Sequence, residues 1–301
     1  EWFWAFAALA VMNVPLERCS AAALLRVHSQ LIGHRRLHFG FPAVGLSELF
    51  APQAAQAVRN AGGQIVLGAQ VMAIKPNEVI LHHGVRIAAA NVVAALPPQA
   101  LQELGIDAPS FEPSPYISSY LWFDRKLTGE RFWAQLGGPK RLSTDFHDLS
   151  NIRRGWSGRP SLIASNIIYS DRAHALSGAE IVAATQREIA EFVPQAAAAR
   201  VVHAVVNRIP MAITCPVPGS ETKRFRSDEI PRLWLAGDWT RTGLPSSMES
   251  AVRAAWLRPT GSSFTPAARP ASTAASRVSF DGSASTASNS TTSPRVARQA
   301  S

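Results

Sequence analysis

The 301-residue sequence predicts a mixed α/β and α+β fold, and three features carry the prediction. Residues 233–236 form a short apolar run that ends on Gly237, as a strand of a covered parallel sheet does. Residues 91–96, NVVAAL, form a second such run, stopped by Pro97 and Pro98. Between these two runs, residues 116–123, 161–169 and 200–208 read as strands with long connections and a single helix over 178–193, closed by Pro194. That order suits an α+β unit built on a mixed or antiparallel sheet.

The remaining elements follow from spacing and breakers. Residues 1–61 read mainly helical: Trp2, Phe3, Phe6, Leu9 and Ala10 recur at helical spacing until Pro15 ends the pattern. A second helix is expected over 21–32, and a third over 46–61, starting near Ser47 and closing at Gly62 and Gly63. Residues 64–67 are β-branched and apolar and read as a strand, residues 70–74 alternate, and residues 79–81 lead into a turn at His83 and Gly84. From Thr260 the sequence collapses into Ser, Thr, Ala and Pro with scattered Arg, too little apolar surface to offset the entropy of ordering, so residues 258–301 are expected to be disordered.

Composition narrows the function classes. The net charge of +9 suggests nucleic acid at first sight, but residues 258–301 hold five arginines against one aspartate, and the rest of the charge is spread thinly. No nucleic-acid partner is expected, and a weak peripheral contact with anionic membrane stays open. No apolar run approaches the roughly 20 residues that span a bilayer. Neither a signal peptide nor a transmembrane helix is read, and the opening on Glu1 reads as a fragment or a processed chain. Cys19 and Cys215 have no metal-ligand or CxxC spacing, so a reduced, cytoplasmic setting is the default. His34 and His38 are four apart without a carboxylate or third ligand, His82 and His83 sit in a hairpin turn, and Ser47 lacks the second glycine of a nucleophile elbow. No metal site is expected.

The chemistry concentrates in residues 232–253, RLWLAGDWTRTGLPSSMESAVR. Gly237 lets the chain turn at the strand's carboxyl end, which places Asp238 at the lip where α/β folds bind ligands. Past Gly243 and Pro245, Ser246 and Ser247 offer N-cap oxygens, with Ser246 and Glu249 spaced as a capping box. A helix beginning there would aim its free N–H groups at whatever Asp238 touches, which suits an electron-rich or anionic ligand. Arg208 and Arg224 read as solvated surface arginines.

LAGDWTRTGLPSSMESAV resembles the C-terminal flavin-binding segment of the FAD-dependent amine oxidase and phytoene desaturase superfamily. It is most similar to the squalene-associated branch, the hydroxysqualene dehydroxylases of hopanoid biosynthesis. GGQIVLGAQVMAI followed by NVVAALPP resembles the middle segment of the same FAD-binding domain. The resemblance implies a Rossmann-like FAD-binding domain in two pieces, 62–106 and 230–257, a substrate domain with helices on a mixed sheet in 1–61 and 107–229, and the tail from 258. It implies FAD as cofactor, with Gly237 at the turn, Asp238 on the ribityl chain, the backbone N–H at Met248 facing the pyrimidine end of the ring, and Val71 against the adenine. It implies an isoprenoid substrate, hydroxysqualene reduced to squalene, against a wall for which Trp2, Trp4 and Phe6 are candidates. No catalytic acid or base is assigned, and no oligomeric state. No G-x-G-x-x-G occurs in the 301 residues. Two other classes therefore stay open: a truncated remnant or subunit that needs a second chain for the FAD pyrophosphate, and a basic-tail nucleic-acid binder.

Overall fold

The computed structural model describes residues 2–31, 40–135 and 141–256, all within one compact unit, Glu1–Pro259. His34, His38 and the tail expected to be disordered lie outside the described residues. Three helices come first, α1 (Trp2–Met12), α2 (Ala21–Leu31) and α3 (Leu46–Asn60). Strands β1 (Val71–Lys75), β2 (Glu78–Leu81) and β3 (Arg86–Ala88) form an antiparallel sheet, followed by β4 (Val92–Ala94) and α4 (Pro98–Glu103). Next come β5 (Pro113–Phe123), β6 (Phe132–Ala134), β7 (Asp145–Asp148), α5 (Leu149–Ile152), β8 (Leu162–Ile168), α6 (Gly178–Phe192) and β9 (Val201–Thr214). The described chain ends with β10 (Leu233–Leu235) and α7 (Met248–Trp256).

The five-stranded sheet has the order β6-β7-β8-β5-β9 and is antiparallel throughout, which decides between the two arrangements the sequence allowed. Alternation along β5 turns Ile117, Leu121 and Phe123 inward, where Phe146, Ile163, Ile181 and Ile189 complete two buried clusters under α6. The start of α6 is set by a capping box in which Ser177 and Glu180 satisfy each other's backbone amides. Glu188, on the same helix, is buried and accepts from the Leu142 and Ser143 amides and from Gln135 Nε2, so α6 also pins the chain between β6 and β7. Strands β3, β6 and β7 were not read from sequence: β3, β6 and β7 are only three or four residues long, and DFHD carries two aspartates, of which Asp148 is buried.

Two departures concern strands. Residues 64–67 make no ladder, and Leu67 is 87% exposed. Their β-branched side chains are suited to a sheet, but no described strand lies beside them to take the backbone hydrogen bonds. Strand β9, expected to stop near Arg208, continues to Thr214 through an irregularity: Tyr116 pairs with Ile209 while Ser114 pairs with Ile213. Pro210, which has no N–H to give a ladder, sits in that gap.

The parallel pair β4–β10 (Val92 with Leu233, Val93 with Trp234, Ala94 with Leu235) forms a small α/β layer with α4 and α7. Leu101, Leu233, Leu235, Ala108 and Trp239 make its core. Val93 is exposed on the sheet, and Met248, Val252 and Trp256 form an exposed i, i+4, i+8 stripe on α7. In α1, Ala7, Ala8 and Met12 point inward while Phe3 and Trp4 stand outward beside the His28 ring. No helix of the described residues is long and apolar enough to cross a membrane.

Candidate active site

Strand β10 ends in a turn that Ala236 starts by donating to the Ala94 carbonyl at 3.0 Å. The Thr240 amide and hydroxyl both return to the Gly237 carbonyl, at 3.2 and 2.9 Å. Trp239 folds back under the turn, 2% exposed, and its Nε1 donates to the Leu96 carbonyl at 2.9 Å. A Cβ at Gly237 would lie 2.5 Å from Trp239 Nε1 and 2.7 Å from its Cδ1. Gly237 is thus needed for room beneath the indole; its φ is not in the left-handed region. The chain turns there as expected, and the packing requirement is a second reason for glycine that the sequence did not show.

Asp238 stands between this strand and α7, as expected, and Ser250 Oγ in the helix's first turn donates to the Asp238 carbonyl at 3.2 Å. Met248 is the first residue of α7. Of the two expected N-cap serines it is Ser247 that serves, its Oγ accepting from the Ser250 amide at 3.1 Å, while Ser246 Oγ, spaced for a capping box with Glu249, turns instead to Thr214 Oγ1 at 2.9 Å and to the Asp238 side chain. Ser246 is drawn off because β9 runs past the helix start, a proximity that the sequence spacing of Ser246 and Glu249 does not encode. Val71 does not join this group; it opens β1, paired with Leu81, and lines a space of about 570 Å³ with residues 92–96. Asp238 and Trp239 line a separate cleft of about 380 Å³ with Pro97, Pro98, Met211 and Ile213. The larger space runs along β4, and the Asp238 cleft lies past the carboxyl ends of β4 and β10, the edge at which α/β layers take ligands.

Burial pushes the Asp238 carboxyl above the usual aspartate value, while the Ser246 hydroxyl, the Arg224 cation and the amides of Asp238 and Trp239 oppose the shift. With a folded-state pKa above that of the unfolded chain, the ionised side chain costs stability at neutral pH, and the cost disappears as the pH falls through the folded value. Asp238→Asn is therefore expected to melt above wild type at pH 7, with the gap closing as the pH approaches the ordinary aspartate value of about 3.9. Thermal melts of both proteins at several pH values measure this, and a pH-independent gap would contradict it.

Arg224, read from sequence as a solvated surface residue, is buried at 4% exposure. It donates from Nη1 to the Asp238 carbonyl at 2.6 Å and to the Thr240 carbonyl at 3.4 Å, and from Nη2 to Ser246 Oγ at 3.4 Å. Arg208 is exposed, with its guanidinium on the Ala173 and Leu176 carbonyls. Nothing in TKRFRS distinguishes Arg224 from its basic neighbours, so the site's only buried guanidinium among the described residues was not legible. Residues 209–214, which form one wall of the Asp238 cleft, were missed with the end of β9.

The chain is similar to the chloroplastic/chromoplastic 15-cis-phytoene desaturase of Capsicum annuum, 26% identical over 218 residues that are 65% of this chain and 37% of that protein. It is also similar to the 15-cis-phytoene desaturase of Synechococcus elongatus, 28% identical over 225 residues, 65% of this chain and 46% of that protein. The chain thus spans less than half the length of these relatives. Its fold is similar to that of an oxidoreductase from Methanosarcina mazei, with a TM-score of 0.62 at 12% identity over 85% of this chain and 63% of that one. The family profile for flavin containing amine oxidoreductase matches residues 5–257. With that match over most of its length, the chain belongs to the flavin containing amine oxidoreductase family, whose cofactor is FAD.

Proposed function

We propose that this chain carries the ring-proximal part of the flavin site and the substrate sheet of an FAD-dependent oxidoreductase that acts on a long isoprenoid. The observation that carries the reading is the half-buried Asp238 carboxylate at the end of β10, beside the first turn of α7 and on a cleft whose other lining residues are mostly apolar. These residues fit FAD: a carboxylate supported by Ser246 accepts from the hydroxyls of a ribityl chain, and the first-turn amides of a nine-residue helix donate to an electron-rich ring edge. When bound, FAD supplies the two-electron chemistry. Pro97, Pro98, Ile209, Met211 and Ile213 give the cleft apolar walls that suit a hydrocarbon chain, which carries no groups to pair with polar walls.

Within this reading the substrate class is isoprenoid, and the finer assignment is the squalene branch, in which two electrons and two protons convert hydroxysqualene to squalene and water. The GDWT-x-TG-x-P run supports that branch, and the phytoene desaturase relatives support the broader class. Phe3 and Trp4 stand outward on α1, where they suit contact with lipid more than the wall of an enclosed tunnel. Peripheral attachment to a membrane and a cytoplasmic setting belong to the same reading. So does a pyrophosphate site supplied from outside these 301 residues, since they hold no glycine-rich phosphate turn.

Flavin fluorescence quenching with riboflavin and with FAD tests this directly. Both are expected to bind saturably and with similar weak affinity, Kd above about 1 μM, because the contacts available are a few hydrogen bonds of about 1 kcal/mol each. Asp238→Ala should weaken both roughly tenfold or more. Submicromolar FAD binding would place a phosphate site within these residues; no saturable quenching, or quenching indifferent to Asp238→Ala, would overturn the flavin site itself.

A further inference from the structure

We propose that Arg224 is the positioning residue of the Asp238 turn and that, through Glu221, it fastens the turn to α2. The functional part of the proposal rests on the flavin reading of Asp238. The structural part stands on the network alone. Arg224 emerges just after a 3-10 turn at Ser220–Lys223 and crosses beneath the loop between β10 and α7. Three acceptors on that loop converge on it: the carbonyls of Asp238 and Thr240 and the hydroxyl of Ser246. Its Nε lies 2.9 Å from Glu221 Oε1 as an ion pair, without hydrogen-bond alignment. Glu221 Oε2 in turn accepts from Arg26 Nη1 on α2 at 3.1 Å.

Only a planar, forked cation reaches acceptors in several directions at once; an ammonium on a flexible stem replaces the charge but not the fork. Holding two carbonyls of the turn from below leaves the Asp238 side chain on the cleft side, where Ser246 meets it. The same guanidinium keeps positive charge beside a desolvated carboxyl. The charged groups on the elements around the turn are Arg26 on α2, Glu221, Lys223 and Arg224 on the 3-10 segment, Arg241 in the loop, and Glu249 and Arg253 on α7. Of these, Arg224 is the one that is buried.

The test uses the full chain and the variants Arg224→Gln, Arg224→Lys and Glu221→Gln, read by amide hydrogen exchange, by the carboxyl titration of Asp238 followed with carbon NMR, and by riboflavin quenching. Arg224→Gln should speed exchange selectively in residues 238–246, raise the Asp238 titration midpoint and weaken riboflavin roughly tenfold, the loss of one charge-assisted hydrogen bond. Arg224→Lys should restore the midpoint while exchange in 238–246 stays fast. Glu221→Gln, which leaves the guanidinium in place and removes a negative charge, should speed exchange in 238–246 and weaken riboflavin to a smaller extent without raising the Asp238 midpoint, and keeps the test open if Arg224→Gln does not fold. Unchanged exchange and midpoint in Arg224→Gln, or equal acceleration throughout the chain in all three variants, overturns the proposal. If wild type fails to bind riboflavin, the flavin reading falls while exchange and titration still decide whether Arg224 positions the turn.

Discussion

Replacing Gly237 with alanine is expected to destabilise the chain by about 2–3 kcal/mol and to lower Tm by roughly 5–10 °C, the cost of overpacking a closed core. The added methyl would sit 2.5 Å from Trp239 Nε1, inside any real carbon contact. The indole cannot step aside cheaply, because it is 2% exposed, bonded to the Leu96 carbonyl and packed among Leu233, Leu235 and Leu101. Moving it breaks the anchor between the ends of β4 and β10, so the Asp238 turn is disturbed along with the core. Gly129→Ala is the control: Gly129 is exposed with nothing within 4 Å of the new methyl, and its Tm should match wild type. Calorimetric melts of the two variants decide the matter; equal Tm values would mean that the Trp239 packing is looser than the geometry states.

The second large effect is expected at Glu188, far from the turn. Glu188→Ala should lose about 3–4 kcal/mol, because two backbone amides and the Gln135 side chain are left buried without an acceptor. Glu188→Gln keeps one acceptor oxygen and should lose about half as much. Urea unfolding gives both numbers, and hydrogen exchange at Leu142 and Ser143 should report the loss locally. Equal and small losses in the two variants would show that water replaces the carboxylate at no cost.

The elements that were legible in sequence are those whose signals are local. Helix α6 was read over 178–193 with Pro194 just past its end, and the structure returns it almost unchanged, with Ser177 and Glu180 as the capping box at its start. The β10 turn was legible because an apolar run, a glycine and an aspartate follow one another within six residues. What was not legible depends on partners distant in sequence. Ser246 left its expected capping role because Thr214, 32 residues away, lies beside it. Arg224 is buried because Glu221 and the carbonyls of a later loop surround it, and a basic residue carries no local mark of that. Residues 64–67 show the converse, a strong local signal for a strand that finds no neighbour among the described residues.

The interruption in β9 gives this long strand a mechanical character. As far as Ile209, β9 is clamped edge to edge on β5, and at its far end Ile213 and Thr214 are held by Ser114 and Pro113. Between these grips, residues 210–212 have no partner in that ladder, and the same residues wall the Asp238 cleft. A beam fixed at both ends and notched in the middle bends at the notch. Any bending of β9 is therefore expected at residues 210–212, in the cleft wall, while the paired stretches on either side keep their register.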